Sequence, residues 1–390
     1  MLAALSINRL FDLWKGGLQD LCHRPQHNMP VLDVLRSCAI LLVFAGHFAG
    51  MFNAAPWLLA SPVVYYGWTG VDLFFVLSGV LIGTQLWREL ARTGDIRVGR
   101  FLLRRGLRIW PLYFSFVALV AAEVVLIGRS GSGLWADATY LSNYFHCQIG
   151  GSWSLSTEEQ FYILAPLSLV AFKRVLKPGR MWIVPVAALL LVNLTRAVTV
   201  WHSTLGEAAL RQALYFPIHT HADGLALGML LSWAAIMRLK WITSAAARWL
   251  IAIAMFGAGV LVYRIMPVVT NFTAIGLIYG SFTLIGMAAT RLPAALKWHG
   301  FYVISRLSFS MYLNHFGLLD HLSAYMGGWR KSGGEPAFWA CGAISLLLSI
   351  SLAGLTFLLI EWPFLRLRSF WMAGKSAPKA VAALAGNGLT

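Results

Sequence analysis

The sequence carries little charge for its length, and acidic residues are the scarcer sign. Charged residues make up 12% of its 390 residues, whereas 58% are hydrophobic. A soluble globular protein carries about 25% charged residues, so this composition excludes an ordinary soluble enzyme, a disordered chain and a fibrous protein. It indicates an integral membrane protein that crosses the bilayer many times.

The sequence also lacks the patterns of a metal site, a disulfide framework, a phosphate-binding loop or an internal repeat. Its four cysteines are scattered, without the paired spacing of metal ligands: Cys22, Cys38, Cys147 and Cys341. Charged residues interrupt the apolar positions of the first 30 residues, so no cleavable signal peptide is predicted. We expect residues 1–30 to form an interfacial helix or a mobile tail, followed by a membrane domain over 31–365 and a tail over 366–390.

Apolar runs that approach the length of a membrane span dominate the rest of the chain. A helix needs about 20 residues to cross roughly 30 Å of hydrocarbon. Ten runs qualify, at 33–52, 64–86, 109–128, 158–172, 181–200, 219–237, 250–262, 271–290, 301–321 and 337–360. We therefore predict an all-α, polytopic membrane protein with about ten transmembrane helices.

The basic residues predict how these helices are oriented. If the N-terminus is cytoplasmic and the ten spans alternate, 23 of the 31 Lys and Arg residues fall on the cytoplasmic side and six on the other. Basic connections stay in the cytoplasm, so both termini are predicted to be cytoplasmic. The net charge of +16 is then explained by topology, and no nucleic-acid partner is expected.

Ionisable residues inside spans are costly and mark functional sites by default. Arg36 and His47 are 11 residues apart in the first span, which places them on one helix face with a rise of roughly 16 Å between them. Arg36 could instead reach cytoplasmic phosphates, and His47 could be a packing residue. Asp72 is predicted at a depth similar to His47, where a carboxylate would fix the histidine tautomer; it could also merely cap its helix.

Two further groups of charged residues precede apolar runs. Arg104, Arg105 and Arg108 would present guanidinium groups to phosphate oxygens at the inner membrane surface, or would anchor lipid headgroups. Glu158 and Glu159 open the fourth span, where they could take part in chemistry or simply favour the helix N-terminus.

Six motifs together resemble those of the acyltransferase-3 family of integral membrane O-acyltransferases. They are Arg36-x10-His47, GVDLFFVLSG at 70–79, RRGLRIWPLY at 104–113, SWSLSTEEQFY at 152–162, SFSMYLNH at 308–315 and EWP at 361–363. The resemblance runs from about residue 30 to 365 and implies about ten spans with the N-terminus inside. Two positions depart from the family pattern, His221 where Arg is common and Asn314 where Trp is common.

The resemblance implies an enzyme that transfers an acyl group, usually acetyl, from acyl-CoA to a hydroxyl of a sugar. His47 corresponds to the proposed catalytic histidine, held in our hypothesis by Asp72 or Glu158 as it acts as general base. Basic residues of the family thought to bind the donor correspond to Arg36, Arg104, Arg105 and Arg108. Candidates for acceptor contacts are Trp153, Glu159, Tyr162, His221, Asp223, Tyr312 and His315.

Acyl-CoA is expected as co-substrate, with no bound cofactor and no metal. The expected acceptor is a surface polysaccharide, a lipid-linked saccharide or a glycoconjugate, and membrane lipids surround the chain in a bacterial inner membrane. Direct transfer and an acyl-histidine intermediate are both compatible with these residues. A transporter or flippase is the alternative function, because a line of intramembrane polar groups also suits a transport path.

Overall fold

The computed structural model describes residues 7–24, 30–128, 130–237, 239, 244–266, 268–288 and 293–373. Within these ranges the chain is all-helical and contains no strand. The predicted tail beyond residue 373 lies outside them. So do six of the basic residues used to orient the spans, Arg129, Arg238, Lys240, Arg291, Lys375 and Lys379.

The helices of the described residues follow one another with short connections. The first eight are α1 (Ile7–Cys22), α2 (Pro30–Met51), α3 (Pro56–Leu59), α4 (Pro62–Tyr65), α5 (Gly70–Thr93), α6 (Val98–Ile127), α7 (Leu134–Ala138) and α8 (Ser152–Phe172). The next eight are α9 (Ile183–His202), α10 (Glu207–Tyr215), α11 (Asp223–Ile236), α12 (Ala245–Ile265), α13 (Asn271–Ala288), α14 (His299–Ser332), α15 (Gly334–Thr356) and α16 (Trp362–Ala373). A π-helical turn, Phe357–Glu361, joins α15 to α16.

Each of the ten predicted spans contains a helix, and six helical segments of the described residues are long and apolar enough to cross a membrane. These six are Pro30–Met51, Gly67–Thr93, Val98–Ile127, Pro178–His202, Ala245–Ile265 and Gly334–Phe370. The segments Asp223–Ile236 and Asn271–Met287 are apolar but shorter. The all-α, multi-pass prediction is confirmed, with six such helices against about ten predicted.

Several boundaries differ from the prediction for local reasons. The second long helix begins at Gly70 rather than at Val64, because Pro56 and Pro62 start two separate one-turn helices before it. The arginines at 104, 105 and 108 lie inside α6, which begins at Val98, and not in a connecting loop. The arginines therefore share a rigid helix with the apolar residues that follow them.

Close helix contacts at glycines hold the centre of the molecule together. A Cβ added to Gly79 of α5 would lie 2.3 Å from the carbonyl oxygen of Leu225, and one added to Gly228 of α11 would lie 2.3 Å from that of Val76. A Cβ at Gly70 would lie 2.5 Å from the carbonyl oxygen of Ala39 in α2. Because only hydrogen fits at these positions, α5 packs directly against both α2 and α11.

The first helix is docked on the rest of the protein. Asp20 accepts a hydrogen bond from Arg306 Nε at 2.6 Å, and its carbonyl oxygen accepts one from Tyr302 at 2.8 Å. Gly17 lies against Leu358 and Trp362, where a Cβ would come within 2.6 Å of Leu358. Of the two alternatives for the N-terminal segment, Ile7–Cys22 is thus a packed helix rather than a tail.

Candidate active site

Two histidines from helices far apart in sequence meet within the membrane domain. Nδ1 of His47 in α2 lies 2.9 Å from Nε2 of His315 in α14. His315 is fully buried, whereas His47 keeps partial exposure. Phe316 contacts the His47 ring edge-on, with centroids 5.3 Å apart. A partly accessible imidazole held by a buried one is suited to proton exchange with a bound group.

A cavity next to this pair carries guanidinium groups on its wall. It encloses about 760 Å³ of empty space, including its open mouth. Its polar lining combines Arg36 of α2, Arg105 and Arg108 of α6, and hydroxyl or carboxyl groups of α5, α8 and α14, namely Ser78, Ser154, Glu158, Tyr162, Ser308 and Tyr312.

The three cavity arginines make no direct contact with a carboxylate group of the described residues. Neither an ion pair nor a hydrogen bond joins Arg36, Arg105 or Arg108 to another described group, although Arg105 lies over the Tyr162 ring, 5.6 Å from its centroid. Glu158 is near Arg36 and Arg105, but its oxygens accept instead from Ser78 Oγ at 2.6 Å and from Tyr162 OH at 2.7 Å. The cavity therefore presents positive charge that the described protein does not neutralise by contact.

Tyr312 connects the cavity to the histidine pair. Its ring lines the cavity and lies 5.6 Å from the His315 ring, centroid to centroid. Its hydroxyl lies 2.6 Å from Ser154 Oγ and donates to the Gly151 carbonyl at 3.2 Å. Tyr312 is thus shared by the cavity wall and the surroundings of His315.

Asp72, predicted to hold His47, makes its hydrogen bond elsewhere. Its Oδ1 lies 2.8 Å from Nε2 of His221, and both side chains are buried. His221 sits among aromatic rings, with Phe272 at 3.7 Å and Trp153 at 5.8 Å between centroids. The structure therefore brings together three of the predicted residues, Asp72, His221 and Trp153, in a cluster separate from His47.

Asp223 belongs to a third polar cluster, which is fully buried. Arg196 donates to both carboxylate oxygens of Asp223, at 2.6 and 2.8 Å. Asn193 and Thr273 also contact this pair, and Arg196 donates to the Thr220 carbonyl at 2.7 Å. These bonds tie α9 to the start of α11 and to α13, so the geometry is that of a structural ion pair.

Two more predicted residues lie outside the cavity lining. Arg104 Nη2 is 3.6 Å from Glu89 Oε2 of α5, which gives this arginine an acidic neighbour. Glu159 accepts a hydrogen bond from Trp110 Nε1 at 3.1 Å, and its other oxygen is buried without a hydrogen-bond partner among the described residues. Of the four predicted donor-binding arginines, the structure thus gathers three.

Sequence reasoning did not select Arg368 and Glu361. Arg368 of α16 is close enough to Arg104, Arg108 and Arg306 for electrostatic repulsion between their guanidinium groups. Glu361, in the π-helical turn, is buried, accepts from Ser310 Oγ at 3.2 Å and is attracted to Arg108 and Arg306. The EWP motif could have indicated Glu361 as a site residue. In the sequence, nothing distinguishes Arg368 from the other basic residues predicted to be cytoplasmic.

The connection before α8 is fixed by one carboxylate. Asp137 accepts hydrogen bonds from the backbone N–H of Gln148 at 2.7 Å, that of Ile149 at 3.3 Å and from Ser152 Oγ at 2.6 Å. Burial raises the pKa of Asp137 even though these donors favour the ionised form.

The described residues contain no group of three or more His, Cys, Asp or Glu side chains placed to hold a metal ion.

Comparisons with known proteins agree on one family. A family model with the description "Acyltransferase domain" matches residues 29–362. "Putative O-acetyltransferase SAS0844" of Staphylococcus aureus (strain MSSA476) is 26% identical over 382 residues, which cover 88% of this chain and 58% of that protein. "O-acetyltransferase OatA" of Staphylococcus aureus (strain NCTC 8325 / PS 47) is 26% identical over 373 residues, covering 86% and 57%. The chain thus spans less than two thirds of the length of these relatives, and no solved structure matches it.

Proposed function

The chain belongs to the acyltransferase-3 family, and from this premise we propose that it is a membrane O-acetyltransferase that uses acetyl-CoA as donor. The family model matches most of the chain, and the relatives bear the name O-acetyltransferase. Such an enzyme needs a donor site, access for an acceptor hydroxyl and a group that removes the hydroxyl proton. The cavity and the histidine pair supply candidates for these parts.

The observation that carries this proposal is a set of three guanidinium groups on the cavity wall, none of which forms an ion pair with a carboxylate of the described residues. A buried charge without a contacting counter-ion is costly, so Arg36, Arg105 and Arg108 favour occupation of the cavity by an anion. The nucleotide end of acetyl-CoA carries several phosphates, and guanidinium groups suit phosphate oxygens in both charge and geometry. Arg368, which lies near enough to Arg108 for electrostatic repulsion, would add a further guanidinium group to this site.

The spacing along α2 suits the length of the donor. Arg36 and His47 are separated by 11 residues, which is a rise of roughly 16 Å on a helix. The pantetheine arm of acetyl-CoA is roughly 15–20 Å long when extended, from standard bond lengths. A donor whose phosphates contact the arginines would therefore bring its thioester to the level of His47.

At this level His47 would act as general base. Its imidazole takes the proton from a hydroxyl while the hydroxyl oxygen attacks the thioester carbonyl carbon. Collapse of the tetrahedral intermediate breaks the C–S bond, the proton passes from His47 to the CoA sulfur, and the imidazole ends neutral. The other open route forms an acetyl-imidazole first, and rapid-quench detection of acetylated His47 would distinguish it.

The acceptor is proposed to be a hydroxyl of a surface polysaccharide, a lipid-linked saccharide or a glycoconjugate. The family resemblance and the names of the relatives support a hydroxyl acceptor, and His47 is the partly accessible member of the histidine pair. Among the predicted acceptor-side residues, His315 contacts His47 directly, and Tyr312 contacts His315. The others are predicted contacts whose described partners are protein groups.

Ten spans with the N-terminus inside form part of the same proposal, in a bacterial inner membrane. Helix directions support the alternation. Gly79 and Gly83 of α5 contact successive positions of α11, so these two helices run in the same direction, as expected for the second and sixth spans. The contacts of Gly259 and Gly280 show that α12 and α13 run in opposite directions.

A fusion experiment tests the orientation. Alkaline phosphatase fused after residue 205 should be active on the periplasmic side; activity only of a fusion at residue 176 would reverse the orientation.

Reconstitution tests the function directly. The full chain in proteoliposomes, given acetyl-CoA labelled in its acetyl group, should release CoA thiol and transfer label to an acceptor such as octyl glucoside or extracted lipid-linked saccharide. A transporter would move label across the bilayer with the thioester intact. Mass spectrometry of cell-surface glycans, with and without the protein, should show a loss of acetyl groups in its absence. Unchanged glycans together with no CoA release would overturn the proposal.

A further inference from the structure

His315 has a defined tautomer because of its surroundings. It is fully buried, and its Nδ1 lies 2.8 Å from the carbonyl oxygen of Tyr312 and 3.2 Å from that of Met311. Carbonyl oxygens only accept hydrogen bonds, so Nδ1 of His315 must carry a proton. A neutral imidazole holds one ring proton, and its Nε2 then has a free lone pair.

This lone pair determines the state of the neighbouring histidine. Nε2 of His315 faces Nδ1 of His47 at 2.9 Å, and the ring planes are inclined by only 18° with centroids 5.1 Å apart. The lone pair of His315 lies in its ring plane and therefore points along this contact. His47 must donate through Nδ1, which leaves Nε2 of His47 as its basic nitrogen.

A positively charged His315 would reverse this assignment, but its environment opposes it. The ring is fully buried, an isolated buried cation is costly, and His47 beside it would have to share the charge. No carboxylate of the described residues forms an ion pair with either ring. The neutral chain of donors therefore runs from His47 to His315 and on to the carbonyl oxygens of one turn of α14.

We propose that His315 is the positioning residue of the acyl-transfer site, which fixes the tautomer of His47 so that Nε2 is the base. This inference rests on the proposed function and deepens it. In the direct route Nε2 takes the hydroxyl proton and later gives it to the CoA sulfur, while Nδ1–H remains hydrogen-bonded to His315. No net proton reaches His315. The role usually given to a carboxylate beside a catalytic histidine is filled here by a neutral imidazole anchored on the backbone.

The test compares two replacements of His315 in the full chain in nanodiscs. His315→Gln keeps a side-chain oxygen that can accept from His47 Nδ1, whereas His315→Met has similar bulk without that acceptor. With acetyl-CoA and octyl glucoside, His315→Met should lower kcat about 10²- to 10³-fold with an unchanged KM for acetyl-CoA. His315→Gln should recover to within about tenfold of the wild type. Equal kcat values in the methionine variant and the wild type would overturn the positioning role.

A spectroscopic readout separates this inference from the function itself. Nitrogen NMR of [¹⁵N]histidine-labelled protein, with the His47 signals assigned by their loss in His47→Gln, should show a protonated Nδ1 and an unprotonated Nε2 in wild type and His315→Gln. His315→Met should lose this preference. The opposite tautomer in wild type would overturn the inference even if acetyl transfer is observed. Absence of transfer in wild type with the expected tautomer would overturn the proposed function instead.

Discussion

His47 and His315 are 268 positions apart in sequence, yet their ring nitrogens lie within 2.9 Å of each other. Together with the contacts of Ser37 and Asp33, this contact shows that α2 and α14 run side by side in the same direction. Near the N-terminal ends of these two helices, Ser37 Oγ donates a hydrogen bond to the Phe301 carbonyl at 2.8 Å. Ser305 Oγ donates one to Asp33 at 3.1 Å. The two rings are thus held by helices that are themselves cross-linked three turns away.

Replacement of His47 should remove transfer without unfolding the protein. Because the proposed mechanism uses His47 as general base, His47→Gln should lower kcat about 10²- to 10⁴-fold. His321→Gln is the matched control, because His321 is exposed on α14 and donates to the Gly317 carbonyl of its own helix. CoA release and thermal unfolding measured on both variants check this. Comparable activity in the two variants would contradict the role of His47.

The arginines of α6 should separate into one that binds the donor and one that does not. Arg108 lines the cavity and forms no ion pair with a described carboxylate, whereas Arg104 lies 3.6 Å from Glu89. A hydrogen bond to a charged group contributes about 1.5–3 kcal/mol, so Arg108→Ala should raise the KM for acetyl-CoA roughly 10- to 100-fold. Arg104→Ala should change it less than about threefold. The opposite order would place the phosphate site nearer to Glu89.

Sequence periodicity predicts which residues share one face of a helix, but it does not predict which helices meet. Periodicity places Arg36 and His47 on one face of α2. This prediction depends only on the sequence of α2 itself. Which face of α5 meets which neighbour depends on close contacts such as Gly224, whose Cβ would lie 3.1 Å from the Asp72 carbonyl. That packing turns Asp72 toward His221, so depth alone suggested the wrong partner for His47.

The cavity was foreseen only in part for a similar reason. Arg36, Arg105, Arg108 and Glu158 were all singled out from their motifs, and the structure gathers them around one space. Ser78 and Ser154 line it too, but a serine in an apolar helix has no distinctive pattern. The helices α11 and α13 are apolar but shorter than the six long ones, and the glycines of α11 at 224 and 228 lie directly against α5.

The contact of α5 with α11 should tolerate no side chain at Gly79. In Gly79→Ala the new methyl group would meet the Leu225 carbonyl oxygen at 2.3 Å, so the helices must separate. Overpacking costs about 1–3 kcal/mol, and we expect the free energy of unfolding of Gly79→Ala to fall by at least the upper end of this range. Gly99→Ala is the control, because nothing lies within 4 Å of its added Cβ, and it should be neutral or stabilising by about 0.5–1 kcal/mol. Thermal unfolding of the two purified variants measures the difference, which should vanish if α5 and α11 are not in contact.

Arg196 should prove structural. Its side chain and that of Asp223 are both 0% exposed, so Arg196→Met leaves a buried carboxylate without its cation, at a cost of about 3–5 kcal/mol. The double variant Arg196→Met/Asp223→Asn removes both charges and should recover part of this loss. SDS-induced unfolding in mixed micelles measures the free energies of unfolding of these two variants and of Asp223→Asn, and additive losses would show that the pair does not interact. The KM for acetyl-CoA of any folded variant should be unchanged, since neither residue lines the cavity.

The carboxyl group that fixes the connection before α8 should give a defined pH dependence of stability. Burial raises the pKa of Asp137 above its ordinary value of 3.8, so the folded protein holds this proton more tightly than the unfolded chain. Asp137 therefore contributes stability at low pH that is lost as the pH rises through the raised pKa. Asp137→Asn cannot titrate and serves as the reference. The melting temperature of the wild type minus that of Asp137→Asn should be greatest near pH 4 and fall toward neutral pH; a difference that rises with pH would mean that the hydrogen bonds from Gln148, Ile149 and Ser152 outweigh burial.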